Sequence, residues 1–99
     1  MGKTKIVFLD TFIEDIASIS FFIESNGLPQ TAILYKEKVY DFIEKLDFDT
    51  IDYPFCREPE RASLDLKCVQ FTKKYTIVFY QMEDEVIITE FVASKMIHW

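Results

Sequence analysis

The sequence predicts an α+β fold with a short N-terminal strand, an antiparallel helical hairpin, and a three-stranded antiparallel meander that forms one sheet with the first strand. Three observations predict it. Apolar residues recur with a helical period between residues 12 and 46, they alternate or run together in three stretches after residue 64, and short polar turns separate those stretches. We expect one domain, 1–99, because this length suits a single hydrophobic core.

The first helix follows a short N-terminal strand. The run Lys5–Leu9 is rich in β-branched and aromatic residues, which favours a strand that stops at Asp10. Thr11 and Glu14 are spaced as a capping box, so we expect the helix to begin there. Gly27 can adopt the left-handed conformation that often ends helices, and we expect the helix to stop just before it. The apolar stripe of this helix consists of Phe12, Ile16, Ile19 and Ile23.

The second helix is predicted from Pro29, because a proline is favoured in the first turn, where its missing N–H costs nothing. The connection between the two helices is so short that they must return antiparallel. Each helix has a single apolar face, so the hairpin needs a sheet to cover that face. The stripe of the second helix consists of Ala32, Tyr35, Val39, Phe42, Ile43 and Leu46.

The rest of the chain is predicted to be a loop followed by the meander. Residues 47–61 contain two prolines and a charged cluster, which favours a loop over any strand. Lys73-Lys74 and Glu83-Asp84 are predicted turns. Between them, 75–82 is nearly continuous β-branched and aromatic sequence, typical of a central strand covered on both faces, and 86–92 forms the last strand. The first strand of the meander is predicted where Leu64, Leu66 and Cys68 alternate with Asp65, Lys67 and Val69.

Composition restricts the function. The net charge of −6 opposes loose electrostatic binding to nucleic acid, which depends on Lys and Arg. Cys56 and Cys68 form no CxxC pair and the chain has one histidine, so we expect no metal site and no cofactor. The apolar runs are too short to cross a bilayer. We expect a soluble, cytoplasmic protein whose two cysteines are reduced thiols.

The meander carries a family resemblance. Leu66-Lys67, the segment 72–80 (TKKYTIVFY) and the segment 83–88 (EDEVII) reproduce a strand, a polar turn, an aromatic strand and an acidic turn into a Val/Ile strand. With Lys5–Phe8 and the first helix, this order resembles the RelE/ParE superfamily of toxins, from type II toxin–antitoxin modules also known as plasmid stabilisation systems. The resemblance covers nearly the whole chain and implies the same α+β fold.

The resemblance implies one of two activities. RelE-like toxins cleave messenger RNA on the ribosome, whereas ParE-like toxins poison DNA gyrase, and both are neutralised by a cognate antitoxin that wraps around the sheet and helices. We expect a toxin of the ParE-like or catalytically degenerate kind. Two alternatives stay open: a ribosome-dependent mRNA endoribonuclease of RelE/YoeB type, and a non-toxic protein-interaction module that retains the fold. Whether the chain is an enzyme is therefore open.

The same resemblance supplies three catalytic candidates: His98, Lys95 and Arg61. Thr72 occupies the position where such nucleases often carry an arginine, and Lys95 corresponds to the usual basic residue after the last strand. The terminal His98-Trp99 is similar to the His-Tyr ending of YoeB-like toxins. An imidazole can move the proton of a ribose 2′-hydroxyl, and cations such as Arg61 can hold a phosphate. The alternative interpretation is that these residues are solvated or lie in a terminal segment without a role.

The predicted sheet also favours binding to another protein. Helices on one face leave the other face and the edges of the sheet available, and an exposed edge accepts a partner strand. An antitoxin segment bound in this way would need an apolar groove beside the edge.

Overall fold

The computed structural model describes residues 4–96 and has the predicted α+β fold. Four strands form one mixed sheet in the order β1-β4-β3-β2. β1 lies parallel to β4, and the other neighbours are antiparallel. The elements are β1 (Lys5–Phe8), α1 (Asp10–Ser25), α2 (Pro29–Glu44), α3 (Pro59–Ser63), β2 (Leu66–Gln70), β3 (Tyr75–Gln81), β4 (Glu85–Ala93) and a 3-10 turn (Ser94–Met96).

The helical hairpin covers one face of the sheet. Most residues of the two predicted stripes pack into the core, whereas Ile23 at the end of the first stripe lines a surface groove. The aromatic rings of the two helices and the sheet meet in the core mostly edge to face, an arrangement that aromatic pairs prefer. Together the helices and the sheet enclose one large core cluster. Its buried members are Phe12, Ile16, Val39, Ile43, Phe48, Ile77, Phe79, Val86, Ile88 and Phe91.

The predicted capping box at Thr11 is wrong, because the residue that caps α1 is Leu9, two positions earlier. The helix begins at Asp10 after Leu9, with Thr11 inside the first turn and no side-chain cap. The reason is that Leu9 N–H still donates to Ile88 O at 3.0 Å, while Ile13 N–H already donates to Leu9 O. The strand therefore passes directly into the helix and leaves no position for a capping box.

The predicted end of α1 and start of α2 are confirmed. Asn26 caps the helix, and Gly27 adopts a φ of +82°, the left-handed conformation that a side chain disfavours. Gly27 N–H donates to Glu24 O at 2.9 Å, which satisfies one of the last carbonyls. Pro29 occupies the first turn of α2, as expected.

A bulge in β4 decides which side chains enter the core. Val78 pairs with Glu90 and Phe79 with Ile88, so that Thr89 has no partner on β3. The Thr89 hydroxyl donates to Val78 O at 3.1 Å. Strict alternation from Val86 would turn Glu90 inward. The extra residue instead sends Glu90 to the opposite face and keeps the following aromatic residue in the core.

The opposite face of the sheet carries a second, smaller cluster. It consists of Cys56, Cys68 and Val78, with Leu66 and Val92 packed against it. β3 thus has buried residues on both faces, Ile77 and Phe79 on the helix side and Val78 on the other, which confirms that it is a covered central strand.

The prediction that the two cysteines are reduced thiols is wrong, because a disulfide joins Cys56 to Cys68. The backbone of residues 54–56 lies along the outer edge of β2, where Cys56 N–H donates to Leu66 O and Cys68 N–H donates to Pro54 O. This pairing brings the two Cα atoms to 5.0 Å, within the usual range for a disulfide. The pairing of a loop with a distant strand edge leaves no local signal in the sequence.

Two boundaries of the predicted loop and strand also change. The short helix α3 begins inside the segment that was expected to be loop, with Pro59 in its first turn. β2 starts at Leu66 and not at Leu64, which is 65% exposed. Asp65 between them has a φ of +58°, so the chain turns there and cannot continue an extended strand.

Within residues 4–96, none of the helices is both long enough and apolar enough to span a membrane.

Candidate functional site: a lysine pocket beside an apolar groove

Three lysines meet where the β2–β3 turn approaches the end of β4. Lys73 and Lys74 come from the turn, and Lys95 comes from the 3-10 turn that follows β4. Together with Tyr75 and Ala93 they line an open pocket of about 380 Å³, which we call the lysine pocket. All three lysines are exposed, and none of the lining residues is acidic.

The backbone fixes the relative position of these lysines. Tyr75 pairs with Ala93 across the two strands, and Ser94 N–H donates to Lys74 O at 2.8 Å. The hydroxyl of Ser94 lies 2.8 Å from that of Thr76, and both side chains are buried. A buried and satisfied polar pair of this kind holds its elements in one arrangement. The turn and the chain after β4 therefore present their cations as one group.

Thr72, where RelE-type nucleases often carry an arginine, has a structural role here. Its hydroxyl oxygen accepts hydrogen bonds from Lys74 N–H and Tyr75 N–H, each at 3.2 Å. Its own N–H donates to Tyr75 O. Threonine hydroxyls commonly stabilise tight turns in this way. Thr72 therefore shapes the turn that carries the lysines.

An apolar groove adjoins the lysine pocket. Its walls come from the second half of α1, the start of α2 and the β2–β3 turn, and it encloses about 480 Å³. Lys74 and Tyr75 line both the groove and the pocket. Phe22 is 68% exposed, so a large apolar side chain lines the groove with most of its surface in water. The groove is lined by Ile19, Phe22, Ile23, Tyr35, Thr72, Lys74 and Tyr75.

Tyr35 and Tyr75, which lie between the helices and the sheet, pack against the core. Tyr75 stacks on Phe91 with ring centroids 4.9 Å apart, and Tyr35 contacts the same phenylalanine edge to face. Burial raises the pKa of Tyr35 to about 12, and the nearby Tyr75 adds to that shift. The Tyr35 phenol is thus even harder to ionise than an ordinary tyrosine, which is already protonated at neutral pH.

Arg61 lies away from the lysine pocket. α3 directs its guanidinium to Glu90, with Nη2–Oε1 at 3.0 Å and Nε–Oε2 at 3.2 Å, and Glu58 also pairs with it. The hydrogen bond to Glu90 raises the pKa of Arg61, with a further contribution from Glu58. Because Glu90 pairs in register with Val78 of the second cluster, this ion pair belongs to the face opposite the helices.

The three catalytic candidates are thus not brought together within the part of the chain that the structure describes. Lys95 lies in the lysine pocket, whereas Arg61 is held by two carboxylates on the other face. Arg57 is exposed. His98 lies outside the described residues 4–96, so its catalytic role stays a prediction.

A second polar site, which the sequence analysis did not identify, surrounds Lys67. This lysine is only 8% exposed, and its Nζ lies 2.7 Å from Asp52 and 3.2 Å from Gln81. The ammonium group also lies 5.2 Å from the centre of the Phe55 ring, a cation–π distance. Alternation places Lys67 on one face of β2, but its partners come from a distant loop and strand. We interpret it as the anchor of the loop before α3.

No group of three or more His, Cys, Asp or Glu side chains within residues 4–96 is arranged to hold a metal ion.

Comparisons with known proteins give a likeness in fold. No family model and no curated protein matches the chain. Among solved structures it is similar to a chain of the chromosomal ParDE toxin–antitoxin (TA) system from P. aeruginosa, with a TM-score of 0.73. The match covers 91% of this chain and 95% of that one at 10% sequence identity.

The chain has a RelE/ParE-type fold. The resemblance predicted from the meander is confirmed at this level. At 10% identity, the RelE/ParE-type fold carries no residue roles from the neighbour to this chain. Residue roles therefore have to be argued from the site geometry described above.

Proposed function

We propose that this chain, taken as one domain over residues 1–99, is the toxin of a type II toxin–antitoxin module and is held inactive by a cognate antitoxin. The single observation that carries the proposal is the likeness in fold to a chain of a ParDE system over nearly the full length of both chains. Within this proposal we favour a ParE-like toxin that acts on DNA gyrase.

The site supports a toxin that is not a nuclease. Thr72 is engaged in turn hydrogen bonds at the position expected for a catalytic arginine. The guanidinium of Arg61 is paired with carboxylates. The net charge of −6 also opposes binding to ribosomal RNA.

One observation favours the alternative of a ribosome-dependent mRNA endoribonuclease. Lys73, Lys74 and Lys95 form a cationic group that can hold a phosphate of the RNA backbone. Cleavage would also require a group that accepts the 2′-hydroxyl proton, and His98 is the residue predicted to do so.

The third candidate, a non-toxic interaction module, is favoured by the apolar residues that the helical hairpin exposes. Phe21, Phe22, Ile33 and Leu34 each expose more than half of their surface. Clusters of exposed apolar side chains are typical of binding surfaces.

Induced expression in bacteria without an antitoxin separates the three candidates. A ParE-like toxin is expected to arrest growth, block replication and cause double-strand breaks while messenger RNAs stay intact. Arrest with newly cut messages that is abolished by Lys95→Ala or His98→Ala would indicate the nuclease. Growth equal to that of the uninduced culture, with soluble protein present, would contradict toxicity and favour the interaction module.

A further inference from the structure

The first helix is apolar on two sides. Besides the residues that pack into the core, α1 carries Ile13, Ala17 and Phe21, whose four-residue spacing places them along one exposed face. Phe21 is 72% exposed. A helix on a protein surface usually carries polar and charged residues opposite its core side. This second apolar stripe of α1 therefore indicates that a further surface covers it.

Two residues of α2 extend this stripe. Leu34 follows the buried Ala32 by two positions, and because successive helix residues turn by about 100°, it points away from the core. Ile33 and Leu34 are 54% and 55% exposed. The Ser20 hydroxyl donates to Ala32 O at 3.4 Å, which places this part of α2 beside the part of α1 that carries Phe21. We call the combined surface the outer face: Ile13, Ala17, Phe21, Ile33 and Leu34.

The outer face lies in a part of the chain that is nearly free of charge. Residues 6–35 contain no lysine or arginine, and residues 16–35 contain a single charged residue, Glu24, although 28% of the chain is charged. Anionic lipids and nucleic acids are attracted by cations, which this segment lacks. Two copies of a chain with a net charge of −6 repel each other least where they meet through an uncharged surface. Such a surface is also self-complementary, as a two-fold interface requires.

The size of the outer face suits a weak dimer. Each of its large apolar side chains exposes on the order of 100 Å², so that with the surrounding rim a two-fold contact would bury about 1,000 Å² in total. This area lies at the low end for specific interfaces, and the aromatic ring of Phe21 is the kind of side chain that contributes most to binding. A dimer of this kind dissociates at the dilute concentrations of optical unfolding measurements.

We propose that the outer face joins two copies of this chain in a symmetric dimer, in which Phe21 and Leu34 of each copy pack against the helical hairpin of the other. Phe22, the next residue along α1, lines the groove instead. The dimer consequently leaves the groove and the lysine pocket open to solvent. The inference goes beyond the proposed function and does not depend on it.

Sedimentation equilibrium of the purified full-length chain tests the proposal. We expect the mass of one chain at high dilution and the mass of two chains as the concentration approaches roughly millimolar. Added salt is expected to strengthen the dimer, because it screens the repulsion between two copies that each carry a net charge of −6. An interface held by ion pairs would respond to salt in the opposite direction.

Matched variants locate the interface. Phe21→Asp places a carboxylate in the outer face and is expected to weaken the dimer about a hundredfold, roughly tenfold for each of the two copies that carry it. Phe22→Asp makes the same change at the adjacent residue, which is 68% exposed and lines the groove, and should have little effect. Leu34→Asp and Leu64→Asp form a second pair, since Leu64 is 65% exposed outside the hairpin. Circular dichroism would verify that all four variants fold.

Several outcomes would overturn the proposal. These are a single-chain mass at every concentration, a dimer that salt dissociates, or equal weakening by each variant and its control. Binding of the monomer to vesicles of zwitterionic lipid, abolished by Phe21→Asp, would instead assign the outer face to a membrane surface. Growth arrest by a chain that stays monomeric would overturn this inference alone. Dimerisation without growth arrest would overturn the toxin function and leave the dimer standing.

Discussion

Individual residues contribute very unequally to the stability of the folded chain. Phe79 is completely buried in the large core cluster, where its ring lies against Phe48 and Tyr53, whereas Phe21 on the outside of α1 is 72% exposed. Polar residues such as Asp47 and Thr72 act by satisfying backbone N–H groups in turns. Residue type alone does not distinguish these roles, because the ten phenylalanines occur in both settings.

Truncation of a buried phenylalanine is the sharpest test of the core. Phe79→Ala should lower the free energy of unfolding by about 3–5 kcal/mol, because it removes buried apolar surface and leaves a cavity. The matched change Phe21→Ala should alter it by less than about 0.5 kcal/mol. Urea unfolding followed by circular dichroism measures both. Comparable effects of the two changes would contradict the described core.

The stability of the loop before α3 is expected to depend on pH through Asp47. The Thr50 hydroxyl and backbone N–H lower the pKa of Asp47 below its ordinary value of 3.8. A lowered folded-state pKa means that the stabilisation is present above the unfolded pKa and is lost as the pH falls through the folded pKa. An NMR titration should show Asp47 titrating below 3.8, and Thr50→Val should raise that value. Titration of wild-type Asp47 at or above 3.8 would contradict the hydrogen bonds.

At the scale of elements, the sequence predicts what is local and misses what depends on distant pairing. Both helical stripes and the turn at Lys73-Lys74 were predicted, because side chains four residues apart share a helix face and turn residues act on neighbouring amides. The Thr89 bulge was missed, since it depends on how β4 packs against β3 and α1. The disulfide was missed for a similar reason: Cys56 reaches Cys68 only when residues 54–56 pair with the edge of β2.

The candidate site shows the same division. The resemblance indicated Lys95, and the local sequence pattern indicated a turn at Lys73-Lys74, but neither predicted that the three lysines meet. Their convergence requires the register that pairs Tyr75 with Ala93 and the hydrogen bond from Ser94 to Lys74. Arg61 lies away from the lysine pocket because it pairs with Glu90, and this pairing depends on α3, a segment that was predicted to be a loop.

The disulfide is expected to stabilise the loop that pairs with β2. Replacing Cys56 and Cys68 by Ala should lower the free energy of unfolding by about 3 kcal/mol, the loop-entropy value for a loop of roughly this length. Amide hydrogen exchange should accelerate at 54–63 and in β2 while α1 keeps its protection. Reduction of the wild-type chain with a dithiol should reproduce both effects. Equal stability with and without the reductant would contradict the structural role of this bond.

At the scale of the whole molecule, an acidic protein presents a cationic, partly apolar surface. The helices and β4 build the core, the disulfide and Lys67 hold the loop against β2, and the β2–β3 turn presents the lysines beside the groove. This arrangement suits a protein that is recognised by another protein. It agrees with the RelE/ParE-type fold and with the function proposed above.

The central claim, a gyrase-directed toxin, is tested most directly by a supercoiling assay with purified bacterial DNA gyrase and the purified chain. We predict that the wild-type chain inhibits ATP-dependent supercoiling and traps cleaved DNA, while Phe79→Asp, which places a carboxylate in the core, does neither. Undiminished supercoiling at a large molar excess of folded wild-type chain would contradict the claim.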